Sequence, residues 1–188
     1  MLGTKWIFIN KQDENRVIVT NKARLVAKLR GLILNKTFAP IARLESIRIL
    51  LAIACSLRMN FQMDIKSAFL NGIPNEEVYV EQLKGFEDPK FPNYAYRLKK
   101  ALYGLEQAPR AWYERLTSYL LEKDIKREGV DKTLCIHRSK FEFLVTQIYV
   151  DDIVFGATSS DLALSFVEEM KSVFEMSMVG ELNFFQGF

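Results

Sequence analysis

Two adjacent aspartates interrupt an apolar, β-branched stretch in the last quarter of the sequence. Residues 146–157 read TQIYVDDIVFGA, and the acids are Asp151 and Asp152. Aspartate is a common turn residue, so the pair fits the tip of an ordinary β-hairpin. Two enclosed carboxylates about 4 Å apart would instead repel by roughly 4 kcal/mol at an effective dielectric constant of 20. An enclosed pair must therefore take up a proton or hold a divalent cation, and both interpretations stay open at this point.

A third carboxylate has the same sequence context. Asp64 is an isolated acid within the apolar segment FQMDI, residues 61–65, where a turn residue at a strand end is the simpler explanation. If neighbouring strands bring Asp64 to Asp151, the oxygen-only ligand set suits Mg²⁺ or Mn²⁺ rather than zinc. A centre with two such ions performs phosphoryl transfer, because it activates a hydroxyl group and neutralises the leaving pyrophosphate.

Hydrophobic periodicity predicts the elements that must position these acids. Alternation and turn residues predict a hairpin over residues 6–28 with its turn at 12–15, and strands over residues 60–64, 77–82, 94–98, 134–138, 141–150, 153–157 and from 182 onward. In the pair 141–150 and 153–157, the two aspartates are predicted to be the linking residues.

Three-four spacing of apolar residues predicts three helices. One follows Pro40, one runs from Pro109 to about Lys123, and one is capped by Ser159 or Ser160. The first should bury Ile47, Leu50, Leu51, Ala54 and Leu57; the second Trp112, Leu116 and Tyr119 or Leu120; the third Leu162, Phe166, Met170 and Val173. Helices and strands mix without regular βαβ alternation, so the predicted class is α+β.

Composition excludes several classes of protein. The chain has 188 residues, of which 49% are hydrophobic and 26% charged, which is typical of a globular domain rather than a disordered chain. No apolar run is long enough to span a membrane, and residues 1–11 lack the pattern of a secretion signal. Cys55 and Cys135 lack metal-ligand spacing and are predicted to be free thiols in the core.

Basic residues cluster near the N-terminus although the net charge is only +3. Lys22, Arg24, Lys28 and Arg30 fall within nine residues that contain no acid. Such a cluster is either a solvated face or a contact surface for phosphates.

Several separated stretches resemble the reverse transcriptase of copia-type long-terminal-repeat retrotransposons, notably those of plants. Their order and spacing together make the resemblance specific, and it extends over nearly the whole chain. The stretches are NKARLVAK (21–28), TFAPIARLESIR (37–48), QMDIKSAFLNG (62–72), EEVYVEQ (76–82), LKKALYGLEQAPRAWYERL (98–116), IYVDDIVFG (148–156) and GELNFF (180–185).

The resemblance implies a polymerase architecture and its partners. We expect one partial reverse transcriptase domain over residues 1–188, with fingers-like parts at about 1–60 and 70–105 and palm-like parts at about 61–69 and 106–188. Its sheet should be mixed, mainly antiparallel and backed by helices, and the chain is expected to stop before the thumb. The implied partners are an RNA or DNA template with its primer, deoxynucleoside triphosphates and two Mg²⁺ or Mn²⁺ ions. The implied location is a cytoplasmic retroelement particle, with no role for a membrane.

The resemblance also assigns roles to individual residues. Asp64, Asp151 and Asp152 correspond to the catalytic, metal-binding carboxylates, with Asp152 the more auxiliary one. The nucleotide-binding residues implied are Lys22 and Arg24 at the triphosphate, the Ile65 backbone, Gln107, and Phe69 as the bulky gate that excludes a 2′-hydroxyl. The residues implied at the primer or template are Tyr149, Val150, Val179 and Gly180. Considered without the family, Phe69 reads as a core aromatic and the role of Lys22 and Arg24 stays open.

Three features depart from the family's pattern, and one of them is the expected stop before the thumb. The connection at residues 28–36 is shorter and less polar than is usual, and Glu106 stands where the family has lysine. A carboxylate beside a phosphate is unfavourable unless it is paired. A remnant that at most binds nucleic acid is therefore an alternative to an active RNA-directed DNA polymerase. A second alternative, another palm-type nucleotidyl-transfer enzyme such as a cyclase, is disfavoured by the LYGLEQAPRAW stretch.

Overall fold

The computed structural model of the chain describes residues 1–12, 16–28, 38–57 and 61–181. Within these ranges it contains three α-helices, one short 3-10 helix (Ala68–Asn71) and ten β-strands. The helices are α1 (Leu44–Leu57), α2 (Ala108–Glu122) and α3 (Ser160–Val173). The strands are β1 (Thr4–Gln12), β2 (Ile18–Ala27), β3 (Phe61–Ile65), β4 (Tyr79–Val80), β5 (Tyr96–Arg97), β6 (Lys126–Arg127), β7 (Leu134–Arg138), β8 (Phe143–Tyr149), β9 (Asp152–Ala157) and β10 (Met176–Glu181).

A six-stranded sheet forms the centre of the molecule. Its strand order is β10-β3-β9-β8-β7-β6, and every neighbouring pair is antiparallel. The strands β3 and β9, which are distant in sequence, are direct neighbours. The predicted α+β class is confirmed, and β3 lies beside the hairpin that contains the paired aspartates.

Helices cover both faces of this sheet. On one face, α2 and α3 bury a core that includes Trp112, Leu116, Phe166 and Met170 against strand residues such as Ile153. On the other face, Ile47 and Leu50 of α1 pack with Val145 and Val154. The apolar alternation of β9 therefore serves two cores, which explains why the strand is buried along most of its length.

The hairpin β1–β2 and the short strands β4 and β5 form a second, smaller packing unit. Its buried residues are Leu2, Ala27, Val78, Val80, Ala101, Leu105, Ala108 and Ala111. Because Ala108 and Ala111 belong to α2, this unit packs on the start of the helix that also supports the central sheet.

Most predicted elements are confirmed, and several details were wrong. The strands predicted over 77–82 and 94–98 shorten to two residues each, and β6 and β10 were not predicted. Ser159 is the residue that caps α3, where its side chain accepts a hydrogen bond from Leu162 N. Val173 is 42% exposed rather than part of the buried face, because α3 ends at this residue.

Other sequence-based predictions lie outside the described residues. They concern most of the turn at 12–15, the connection at 28–36 beyond Lys28, the strand from 182, and the side chains of Ala54, Cys55 and Leu57. Cys135 is described, and it is buried and free as predicted. No helix in the described part of the chain has the length and apolar character needed to cross a membrane.

A polar cluster joins the start of α1 to β8, the strand that leads into the paired aspartates. Asp131 accepts hydrogen bonds from the Thr133 backbone N (2.9 Å) and hydroxyl, and from Gln147 Nε2 (3.5 Å). The Ser46 side chain and the Arg43 backbone also hydrogen-bond to this carboxylate. Burial raises the pKa of Asp131, but these hydrogen bonds outweigh it and hold the pKa below its ordinary value.

Asp131→Asn should lower the free energy of unfolding at pH 7 by about 1 kcal/mol, the usual contribution of such hydrogen bonds. Because the folded pKa is depressed, the carboxylate stabilises the fold above its unfolded pKa, and this contribution is lost as the pH falls through the folded pKa. Urea unfolding at pH 7 and at about pH 3 measures the effect. The difference between wild type and variant should shrink on acidification, whereas exposed Glu168→Gln should show little difference at pH 7. A difference for Asp131→Asn that is equal at both pH values would contradict the assignment.

Candidate active site

Two carboxylates stand directly opposite each other in the central sheet. In the antiparallel pair β3 and β9, Asp64 is the register partner of Asp152. Side chains at such positions share one face of the sheet, with Cβ atoms about 4.5–5.5 Å apart. Like charges placed directly opposite destabilise a sheet, so this pairing is costly unless it serves another purpose.

Asp151 lies in the turn that precedes Asp152. Its backbone carbonyl accepts a hydrogen bond from Ile65 N at 2.9 Å, so Asp151 is adjacent to the Asp64–Ile65 peptide. The structure therefore brings the three predicted acids to one end of the sheet. The strands of Asp64 and of the paired aspartates are neighbours, and the register partner of Asp64 is Asp152 rather than Asp151.

The turn itself differs from the one predicted. Tyr149 pairs with Asp152 at the end of the β8–β9 ladder, so the two linking residues are Val150 and Asp151. The prediction that both aspartates form the link was wrong by one position. Asp152 is the first residue of β9, and this position in the ladder is what aligns it with Asp64.

Val150 has a strained backbone. Its φ angle is 58°, in the left-handed region that a β-branched residue rarely adopts. Two-residue hairpins favour primed turns, which need a positive φ at this position and usually have asparagine or glycine there. The Val150 carbonyl accepts a hydrogen bond from Trp112 Nε1 at 2.7 Å, and Trp112 is buried in α2. The helix thus holds the strained turn in place, as is common where strain serves a functional site.

We expect Val150→Asn to raise the free energy of unfolding by about 1 kcal/mol, because asparagine tolerates a positive φ. Little apolar burial is lost, since Val150 is 45% exposed. Chemical denaturation of both proteins measures the change. The matched control is Val130→Asn, an exposed valine whose φ is not positive, which should give no gain. An equal gain in the free energy of unfolding at both positions, or a loss at Val150, would contradict the conclusion that the Val150 backbone is strained.

The donor chemistry of this end of the sheet suits a hard divalent cation. Asp64, Asp151 and Asp152 offer only carboxylate oxygens, which Mg²⁺ and Mn²⁺ prefer. Within the described ranges, no three His, Cys, Asp or Glu side chains converge closely enough to form a ready ligand cluster. The residue types suit such ions, and the register of β3 and β9 places Asp64 opposite Asp152.

An apolar cavity of about 510 Å³ borders the aspartate turn. Its lining includes Val150, Phe69, Trp112 and the segment 38–41, and Glu106 is the one charged residue among the described residues that line it. Phe69 lies in the 3-10 helix that follows Asp64 and is half-buried. The predicted gate and the predicted primer contact therefore face a common space, and the unusual Glu106 lies there too.

Lys22 and Arg24 lie on β2 and, being two residues apart, project from the same face of the hairpin. The Arg24 guanidinium carbon lies 4.8 Å from the centre of the Tyr103 ring. Tyr103 in turn packs on Phe69, with 5.3 Å between ring centres. Sequence reasoning missed Tyr103; the only sequence signal was its place before Gly104 in the LYGLEQ stretch.

The other predicted site residues lie on or beside β3, α2 and β10. The Ile65 N–H is already hydrogen-bonded to Asp151, so a contact with a triphosphate needs other backbone atoms of Ile65. Gln107 is only 8% exposed and immediately precedes α2. Val179 and Gly180 lie on β10, the neighbour of β3 on the side away from β9, and Gly180 pairs with Gln62. The roles of these residues stay predictions.

Comparisons with known proteins agree with this geometry. The family model described as reverse transcriptase (RNA-dependent DNA polymerase) matches residues 1–188. The chain is 36% identical to the retrovirus-related Pol polyprotein from transposon RE1 of Arabidopsis thaliana, over 100% of the chain and 13% of that polyprotein. It is 34% identical to the corresponding polyprotein from transposon TNT 1-94 of Nicotiana tabacum, over 95% of the chain and 14% of that polyprotein.

More distant similarity extends to yeast. The Transposon Ty1-H Gag-Pol polyprotein of Saccharomyces cerevisiae is 27% identical over 95% of the chain and 10% of that polyprotein. The chain thus spans only a small part of each of these relatives. The opposed aspartates, the turn beside them and the match over the full sequence lead to one assignment: this chain belongs to the reverse transcriptase (RNA-dependent DNA polymerase) family.

Proposed function

We propose that the chain carries the nucleotidyl-transfer site of an RNA-directed DNA polymerase, built from fingers and palm parts of a retrotransposon Pol polyprotein. The observation that supports this most is the register pairing of Asp64 with Asp152, with Asp151 in the adjoining strained turn. Three acids at one end of a sheet reduce stability unless they bind cations. Membership of the family supplies the reaction class.

The reaction joins the 3′-hydroxyl of a primer to the α-phosphate of a deoxynucleoside triphosphate and releases pyrophosphate. Asp64 and Asp151 would hold two Mg²⁺ or Mn²⁺ ions, which supply activation of the hydroxyl and neutralise the leaving group. Asp152, the register partner of Asp64, has the auxiliary role. Lys22 and Arg24 face the triphosphate and balance its charge, since phosphoryl transfer depends on position and electrostatics more than on covalent help.

The remaining residues shape the sites of the nucleotide and the primer. Phe69 closes over the sugar, and Gln107 and the Ile65 backbone lie beside the nucleotide. Tyr149 and Val150 contact the primer terminus, and the backbone of the primer passes Val179 and Gly180. The template with its primer would lie over the aspartate end of the sheet. The setting proposed is a cytoplasmic retroelement particle, by analogy with the Pol polyproteins that the chain resembles.

Primer extension by the chain itself tests this function. A DNA primer annealed to an RNA template should be extended with deoxynucleoside triphosphates in Mg²⁺ or Mn²⁺, and chelation with EDTA should stop the reaction. Failure with both metals, while the duplex still binds in a salt-dependent manner, would overturn the proposal. It would favour the alternative of a remnant that only binds nucleic acid.

A further inference from the structure

Tyr103 contacts both walls of the proposed nucleotide site. The Arg24 guanidinium carbon lies 4.8 Å from the centre of the Tyr103 ring, within the range of a cation–π interaction. The Phe69 ring packs against Tyr103 at 5.3 Å between centres, with the planes tilted by 51°. One aromatic ring therefore contacts the fingers arginine and the aromatic residue next to the aspartates.

The hydroxyl end of Tyr103 is held near the carboxylates. This hydroxyl forms a hydrogen bond with the side chain of Ser67, a residue with φ of 53° that immediately precedes the 3-10 helix. Burial raises the pKa of Tyr103, and the negative charges of Asp151 and Asp64 raise it further. The positive charge of Arg24 and the hydrogen bond with Ser67 lower it. The hydroxyl is therefore protonated at neutral pH.

The backbone around Tyr103 is fixed against β2, the strand that contains Arg24. The Tyr103 carbonyl accepts a hydrogen bond from Ala27 N at 2.8 Å, and Tyr103 forms a β-bridge with Val26. At Gly104, with φ of 86°, an added Cβ would lie 2.5 Å from the Ala27 carbonyl oxygen. This close approach leaves the ring little freedom to move relative to Arg24.

One donor of Arg24 is unsatisfied by the residues that the structure describes. Its Nε is buried and has no hydrogen-bond partner within the described part of the chain. A buried donor without a partner costs free energy, which an incoming acceptor would recover. Phosphate oxygens match the guanidinium geometry, and Lys22 adds a second positive charge on the same face of β2.

We propose that Tyr103 is a positioning residue for the triphosphate of the incoming nucleotide. Its ring supports the Arg24 guanidinium in the orientation that presents it to phosphate oxygens, and the Ser67 hydrogen bond keeps the ring in place. This inference rests on the proposed function in one respect, since it takes a nucleoside triphosphate as the ligand of Arg24. It requires no primer, template or chemical step.

Equilibrium binding of dATP in Mg²⁺ by calorimetry tests the proposal, with dAMP as the matched ligand that lacks the β- and γ-phosphates. Tyr103→Leu should weaken dATP binding by about threefold to thirtyfold, the range that a cation–π contact provides. Binding of dAMP should change little. Tyr103→Phe keeps the ring and should restore most of the lost affinity.

A double-mutant cycle separates positioning from general support of the fold. Arg24→Ala and the double variant with Tyr103→Leu should bind dATP equally weakly, because the ring acts through the arginine. Additive losses, or equal losses for dATP and dAMP, would overturn the proposal. If Tyr103→Leu does not fold, Arg24→Lys provides the test, since it keeps the charge and loses the planar stacking group. Wild-type affinity in Arg24→Lys would then overturn it.

The dATP-binding test of Tyr103 can fail or succeed independently of the primer-extension test of the proposed function. Wild-type protein that shows this dATP pattern but extends no primer supports the role of Tyr103 and contradicts polymerase activity. Protein that extends primers but loses dATP and dAMP affinity equally in Tyr103→Leu contradicts the role of Tyr103 alone. Absence of dATP binding by the wild type would also overturn the role of Tyr103.

Discussion

Asp151→Asn should reduce the rate of primer extension by about 10³-fold or more. A bound metal ion supplies several kcal/mol of charge stabilisation in the transition state, and each 1.36 kcal/mol corresponds to a tenfold change in rate. The substitution keeps the size of the side chain and removes the charge that is proposed to hold the ion. Single-turnover extension of a DNA primer on an RNA template, at saturating Mg²⁺, measures the loss.

Stability provides the first control on this result. Asp151→Asn removes a negative charge from the end of the sheet where Asp64 and Asp152 stand opposite each other, so the free energy of unfolding should stay the same or rise. Inactivity of a variant with undiminished stability is a loss of function rather than of fold. If the variant unfolds at a lower urea concentration than the wild type, the loss of rate could come from a weakened fold. That outcome would contradict the expected repulsion among the acids at this end of the sheet.

Two further substitutions define what is specific to Asp151. Asp152→Asn should lower the rate less, because Asp152 is proposed to be the auxiliary acid. Asp161→Asn is the matched distant control: Asp161 is exposed in the first turn of α3, beyond the far end of β9. The six residues of β9 separate that end from Asp152 by about 17 Å. Full activity of Asp151→Asn, or equal losses at all three positions, would sink the assignment.

The acids of the site could be predicted because each one interrupts an apolar strand. Asp64 and the 151–152 pair stood out against buried neighbours, and period-two alternation identified the strands on which they lie. Which acid faces Asp64 could not be predicted. That depends on the two residues that form the turn, and Val150 occupies a conformation that its own β-branched side chain disfavours.

Contacts between segments that are distant in sequence could not be predicted from the sequence. Tyr103 reaches Arg24 only because the backbone at residues 103–104 docks on β2, and no local pattern encodes that docking. Lys126 and Arg127 have no apolar alternation, yet they form the edge strand β6 because they pair with β7. Long-range pairing thus decided the elements and the site residue that local periodicity missed.

Phe69→Val should reduce the preference for deoxyribonucleotides over ribonucleotides by about 10–100-fold, the range that a small change in the size of a pocket produces. Phe69 is five residues past Asp64, half-buried, and lines the cavity beside Val150. Its ring is also held against Tyr103, so it cannot easily swing aside to admit a 2′-hydroxyl. Valine removes most of that ring and opens space at the sugar.

The ratio of kcat/KM for dCTP to that for CTP is the quantity to measure, because a general loss of activity lowers both terms and leaves the ratio unchanged. Phe86→Val, at a ring that is 72% exposed in a loop, is the matched control and should keep the wild-type ratio. An unchanged ratio in Phe69→Val would show that Phe69 is only a core aromatic. A lower ratio, reached through faster use of CTP, would place the sugar of the incoming nucleotide between Phe69 and the aspartate turn.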